Sequence, residues 1–349
     1  MSTIYITEPE ANFQLQHRYF QVFHQQKQCV ILRINNVSQI IIFGNIKLPN
    51  EVIKAVLAHQ IPVLYLTANG EFIGRLENTT QRQYKYQTLQ RQRARNAELN
   101  YATAESIIWA KLHNQYTFMQ SWTHHYADHE TQRALNYLTL LMDNLSLATS
   151  VDQLCEYSEE ADQVYYNAVT SLLKFHHPYS HFQQRRIGGL FNLGYQLLHQ
   201  YIYTLLDTAG LHPDYAILHR NVHHELPLAW DFTAEFRTAI VDDLVLHFAK
   251  KFPHTNGNGN GNSNGKSQPR TIVQHFLQHW EAKLKTFVLH PQAGTVSYRQ
   301  CMDFQVREYL GYVLSDVEYY RPLALKFHPL DSKLASITKP QKASLTVVK

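Results

Sequence analysis

The chain has 349 residues, of which 44% are hydrophobic and 17% charged, and it carries a formal net charge of +4. That length sets an expectation of roughly two domains, each burying its own core, and the absence of any run of about 18 apolar residues argues against a membrane span. The basic excess permits a polyanionic partner without requiring one, and Met1–Thr7 lacks the basic and apolar regions of a secretory signal, so a cytoplasmic protein is expected.

In chain order, residues 1–80 read as a small, mostly antiparallel β domain. Cys29-Val-Ile-Leu-Arg-Ile, Ile40-Ile-Ile-Phe and Val63-Leu-Tyr-Leu are short, β-branched or aromatic, and bounded by Asn, Gly or Pro. One helix is expected among them, where Val52, Ile53, Val56 and Leu57 recur at helical spacing ahead of Pro62. Asn69-Gly70 predicts a tight turn. Residues 81–103 read as a linker and helix start rich in basic side chains. Arg91, Arg93 and Arg95 there are candidates for contacts to a nucleic-acid backbone, a solvated helix face being the plainer alternative.

Residues 104–330 read as a larger all-α domain, giving an α+β protein. Two helices are expected over 104–147, and further ones near 159–174, 189–208, 231–250, 271–285 and 296–315. Asn256-Gly-Asn-Gly-Asn-Gly-Asn-Ser-Asn-Gly265 has no apolar content and predicts a disordered insertion, and residues 331–349 a tail. Cys29, Cys155 and Cys301 are far apart and odd in number, which suits reduced thiols better than a disulfide framework or a zinc knuckle.

An ordered set of short segments adds to this reading. Ala110-Lys-Leu-His-Asn-Gln115 is followed by Phe191-Asn-Leu-Gly-Tyr-Gln and Ala209-Gly-Leu-His-Pro213. Leu218-His219, Pro227-Leu-Ala-Trp-Asp231 and Glu235-Phe-Arg237 come next, then Ser297-Tyr-Arg299, Gln305-Val306 and Tyr320-Arg-Pro322. Together with Ile4-Tyr-Ile-Thr7, Phe43-Gly44, Ile61-Pro-Val63 and Asn69-Gly70, the set resembles the CRISPR-associated integrase and endonuclease family that inserts new spacers into a CRISPR array. The resemblance covers about residues 1–325 and implies an N-terminal β domain, a helical C-terminal domain and a homodimer. It also implies assembly with a small second Cas subunit around pre-spacer and repeat DNA, and transesterification dependent on Mg²⁺ or Mn²⁺.

That chemistry uses a cation held by carboxylates to stabilise charge on the phosphoryl oxygens while a DNA 3′-hydroxyl attacks. The ligands implied by the resemblance are a glutamate on one helix, the histidine after the Ala-Gly-Leu turn, and an acid one helical turn beyond the aspartate that ends the Leu-Ala-Leu-Asp motif. His219 falls on the histidine and Asp231 on that aspartate. Ser158, however, stands at the glutamate and Ala234 at the acid, with Glu159 and Glu235 each one residue further on. A one-residue shift turns a helical side chain by about 100°. Two main readings stay open: an integrase with His219 and Asp231 catalytic and a displaced metal set of Glu159, His219, Asp231 and Glu235, or a degenerate paralogue acting as a DNA-binding structural subunit. An unrelated helical nucleic-acid-binding protein is the third.

Overall fold

The computed structural model describes residues 2–78, 84–123, 128–176, 181–219, 225–250, 269–324 and 347–348. The insertion expected at 256–265 and most of the 331–349 tail lie outside them.

The N-terminal strands form two sheets. β2 (Asn12–Gln16), β3 (Tyr19–His24) and β4 (Lys27–Arg33) make an antiparallel meander. β1 (Ser2–Ile6), β5 (Val37–Phe43), β6 (Val63–Leu66) and β7 (Phe72–Leu76) make a mixed sheet in the order β1-β5-β6-β7. Antiparallel ladders outnumber parallel ones across the domain, yet the two central ladders, β1 to β5 and β5 to β6, are parallel. This explains the unbroken apolar runs in these strands, because a parallel sheet is covered on both faces. Ile4, Ile6, Ile40, Ile42 and Val63 face one core with Val52 and Val56 of α1 (Asn50–Ala58). Their alternates Tyr5, Ile41, Phe43, Leu64 and Leu66 belong to the core of the helical half.

The helical half comprises α2 (Gln87–Arg95), α3 (Ala97–Thr123), α4 (His129–Asn144), α5 (Val151–His176), α6 (His181–Thr208), α7 (Pro227–Phe236), α8 (Asp243–Lys250), α9 (Pro269–Leu284) and α10 (Tyr298–Leu314). Its main departure from the expected all-helical character is a two-stranded hairpin, β8 (Phe287–His290) paired with β9 (Gly294–Ser297), between α9 and α10. α3 is the axis: Ile107, Ile108 and Leu112 pack into one core, while Phe118, Met119 and Trp122 pack with Tyr165 and Leu172 of α5 in another. A π-helical turn, Arg237–Asp242, joins α7 to α8. Gly194 of α6 lets it lie close, since a Cβ there would meet Val241 Cγ1 at 2.6 Å.

Polar bonds lock the two halves together. The Tyr203 hydroxyl donates to Glu77 at 2.7 Å, and Arg75 donates to Gln200 at 3.1 Å while stacking over the Tyr203 ring. The buried Tyr5 hydroxyl of β1 donates to Glu281 of α9 at 2.7 Å. A short strand, Val347–Val348, pairs antiparallel with β1.

Candidate functional site

The site is built around the segment between α6 and α7. α6 is closed off by Gly210, whose φ of +77° suits glycine, and Leu211 N reaches back to Leu206 O at 3.0 Å in the manner of a Schellman cap. Gln90 of α2 fixes the following turn by accepting from His212 N at 2.7 Å and donating to His212 O at 3.1 Å. Pro227 opens α7 at a position where no amide donor is needed, and Leu228 N donates to Pro213 O at 2.8 Å.

Asp231, one turn into α7, is fully buried and faces this segment. Its Oδ2 accepts from the amides of Ile217 (2.5 Å) and Leu218 (3.2 Å), and its Oδ1 from the amide of His219 (3.2 Å). The His219 ring meets the same Oδ1 through Nδ1 at 2.7 Å, so that Nε2 is the ring nitrogen directed away from the carboxylate. The side chain of His219 is 35% exposed. Of the three acids and one histidine expected at the site, Asp231 and His219 are brought together.

α5 supplies the opposite wall. Cys155 Sγ lies 3.8 Å from Leu218 O, and Ser158 follows one turn later. The Lys111 ammonium of α3 is buried against Ser158, 2.6 Å from its Oγ and 3.3 Å from its carbonyl, and 2.8 Å from Asp162 Oδ2. Gln115 donates to Asp162 Oδ1 at 2.7 Å. Arg237, one turn beyond Ala234, approaches the same carboxylate at 4.0 Å and donates to the Tyr166 hydroxyl at 3.0 Å. Burial raises the pKa of Asp162, but Lys111 and Arg237 outweigh it and hold the carboxyl below its ordinary range. Lys111, Gln115, Asp162 and Arg237 were not singled out from the sequence as site residues. The available signals were the Ala110–Gln115 and Glu235–Arg237 segments, which carry Lys111, Gln115 and Arg237, and the spacing of Ser158 and Asp162, which four apart share a helix face.

The remaining candidates point elsewhere. Glu235 is fully buried and accepts from the Tyr320 hydroxyl (2.5 Å), Leu323 N (2.8 Å) and Gln305 Nε2 (3.0 Å), while its carbonyl accepts from Asn114. Burial pushes its carboxyl up to about 7. Ala234 sits in the apolar core, and Glu159 is exposed on α5. On α2, Arg91 and Arg95 are exposed, whereas Arg93 is tied to Ser315 Oγ at 2.7 Å and stacks over Tyr312.

Tested against a divalent ion, these residues do not fit. Among the described residues no three His, Cys, Asp or Glu side chains are grouped to hold a metal. The Asp231 carboxylate is already taken up by three backbone amides and the His219 ring, and the Ser158 hydroxyl is faced by an ammonium. A hard cation takes carboxylate oxygens and is repelled by a buried ammonium at hydrogen-bond distance.

A family model described as CRISPR associated protein Cas1 matches residues 4–282. The chain is 21% identical over 333 residues to CRISPR-associated endonuclease Cas1 3 of Thermus thermophilus, covering 93% of this chain and 98% of that protein. Among solved structures it is similar to a chain of a Cas6-RT-Cas1–Cas2 complex at a TM-score of 0.74 and 16% identity, over 94% of this chain and 36% of that one. It is also similar to a casposase bound to integration product, at a TM-score of 0.70 and 18% identity, over 97% of this chain and 99% of that one. At such identities the structural likeness establishes a shared fold.

Proposed function

The chain belongs to the CRISPR-associated Cas1 family, and from that premise we propose that it serves CRISPR adaptation as a DNA-binding assembly subunit that does not itself join DNA. Its ligands are pre-spacer and CRISPR-repeat DNA, its form a homodimer, and its partner a small second Cas subunit, in keeping with the Cas1–Cas2 complex among its structural neighbours. The observation that carries the reading is the Lys111 ammonium at 2.6 Å from Ser158 Oγ. Where the family resemblance implies an acidic ligand, this chain has a hydroxyl already bonded to an internal cation. Joining a 3′-hydroxyl to a phosphodiester needs charge stabilisation on the phosphoryl oxygens, which the family supplies through a metal. The side chains at positions 158 and 234 offer little to recruit one.

A second reading keeps the chemistry in this chain, with His219 and Asp231 catalytic and Glu159 and Glu235 completing a displaced Mg²⁺ or Mn²⁺ set. The observation in its favour is the retained His219–Asp231 pair at 2.7 Å. The test of both is one assay. Purified protein and its cognate small subunit are given a pre-spacer with free 3′ ends, a repeat-bearing plasmid, and Mn²⁺ or Mg²⁺. Retention of DNA in a complex with no joined product is the expected result. Joined product that disappears in His219→Ala would instead place catalysis in this chain.

The backbone contacts proposed for Arg91 and Arg95 are read in the same system. Both are exposed on α2. Replacing each by alanine is expected to flatten the dependence of log affinity on log salt by roughly 0.9 per lost phosphate contact. Arg93→Ala, which breaks the bond to Ser315, is expected to loosen α2 from α10 and to leave that slope nearer the wild-type value. Identical slopes for all three variants and wild type would remove α2 from the DNA interface.

A further inference from the structure

Beside the His219 segment, the interior between α3, α5 and the π turn holds two cations and two carboxylates. Lys111 and Arg237 flank Asp162. Arg237 also stacks over the Tyr195 ring, 4.6 Å from its centroid, and donates to Tyr166, which is hydrogen-bonded to Tyr195 at 2.9 Å. Tyr195 and Tyr165 in turn donate to the two oxygens of the fully buried Asp242, at 2.5 and 2.8 Å. The chain of contacts thus runs from Ser158 to Asp242, and its formal charges, two positive and two negative when both carboxyls are ionised, cancel with no ion added.

The atoms this cluster leaves without a partner also bear on the question. They are Gln115 Oε1 and Arg237 Nε, one acceptor and one donor, both buried. Such a pair matches what a water molecule satisfies. A divalent cation would gain one neutral oxygen and meet a guanidinium.

We infer that the Lys111 ammonium, tethered to α3, is the resident cation of this site and that the charges around it balance without a divalent ion, so that the fold around Ser158 and His219 stands without metal. Its three acceptors, two from Ser158 and one from Asp162, match the three donors of an ammonium. The inference rests on the proposed function in taking Ser158 and Ala234 as the family's ligand positions. It goes further in making the fold at this site independent of metal.

The experiment uses the full-length protein in three arms. First, calorimetric titration of the wild type with Mn²⁺ and with Mg²⁺ is expected to give no saturable isotherm, and the thermal midpoint is expected to shift by no more than about 1 °C between excess EDTA and 1 mM of either ion. A shift of that size corresponds to a few tenths of a kcal/mol for a chain of this length. Second, Lys111→Met, which keeps the aliphatic stem and removes the charge, is expected to lower the midpoint by roughly 5–10 °C, with no recovery on adding Mn²⁺. Third, Lys111→Met combined with Asp162→Asn removes both charges and is expected to recover part of that loss, because an unpaired buried carboxylate costs more than a missing pair. A saturable isotherm, a metal-dependent midpoint, or a Lys111→Met protein as stable as wild type would each overturn the inference. The wild-type titration decides the matter even where a variant fails to fold. Joined DNA from a protein that gives no isotherm sinks the non-joining reading and leaves this inference standing; an isotherm without joining does the reverse.

Discussion

Asp231→Ala is expected to lower the free energy of unfolding by about 3–5 kcal/mol, the largest loss among single substitutions at the site. The carboxylate is fully buried and accepts from the amides of Ile217, Leu218 and His219 and from the His219 ring. Removing it strands three backbone donors, each costing about 1–3 kcal/mol if it stays buried without a partner. The chain escapes the full sum by letting residues 217–219 swing out to water. The variant is therefore expected to show a lowered denaturant midpoint together with fast hydrogen exchange at those amides. Asp231→Asn retains one acceptor oxygen but turns an NH₂ group toward other donors, so a loss of roughly 2–3 kcal/mol is expected. An Asp231→Ala protein within 1 kcal/mol of wild type, with slow exchange at 217–219, would show that the loop is held by something else. Such a result would also remove the basis for treating Asp231 as the residue that orients His219.

Glu235→Gln should change the pH dependence of stability in the opposite sense to a surface carboxylate. Burial raises the folded-state pKa of Glu235 to about 7, against 4.5 for the free side chain. Between those values the folded protein holds a proton that the unfolded chain releases, so stability falls as pH rises from about 4.5 to about 7 and stays at the lower level above it. The contribution present below pH 4.5 is of the order of 3 kcal/mol. Asp242, raised to about 6 by burial, adds a slope of the same sign at lower pH. The glutamine variant is uncharged at every pH and keeps an oxygen for Leu323 N and Gln305, so the Glu235 contribution drops out. Denaturant unfolding of both proteins from pH 4 to pH 8 should give curves that approach each other at pH 4. They should separate toward pH 8, with Glu235→Gln the more stable there. Parallel curves would mean that Glu235 titrates alike in the folded and unfolded chain, in which case the Tyr320 and Gln305 bonds offset its burial.

Much of the fold could be read from local pattern. The run Ile40-Ile-Ile-Phe announced a buried strand, and α9 and α10 fall close to their expected spans, while α5 and α6 each begin eight residues earlier and the helix expected over 231–250 is α7 and α8 joined by the π turn. What local pattern did not carry was pairing. The parallel ladders beside β5 depend on strands far apart in the chain, and a four-residue apolar run marks a strand covered on both faces without naming its neighbours. The site follows the same rule. His219 and Asp231 are 12 residues apart and their partnership was expected from the motif order; Lys111 and Ser158 are 47 apart, and Glu235 and Tyr320 are 85 apart. Asp231 and Glu235 lie one turn apart on α7, a helix buried on nearly all sides, and each meets a different segment there. Their spacing alone therefore suggested a shared site where the structure has two separate ones.

The bond from Tyr5 to Glu281 has a consequence for how the molecule comes into being. The two residues are separated by 276 positions, yet Tyr5 sits in the same apolar cluster as α9. At a translation rate of about 5–20 residues per second, the ribosome leaves that tyrosine without its acceptor for roughly 15–60 s. During that interval the outer face of the β1-β5-β6 sheet, with Ile41, Phe43, Leu64 and Leu66 beside Tyr5, is still without α9, while the opposite face already has its own core. The nascent chain thus carries a finished half whose other side is covered only in part, the stage at which a chaperone is of most use and a truncated product most prone to stick to its neighbours.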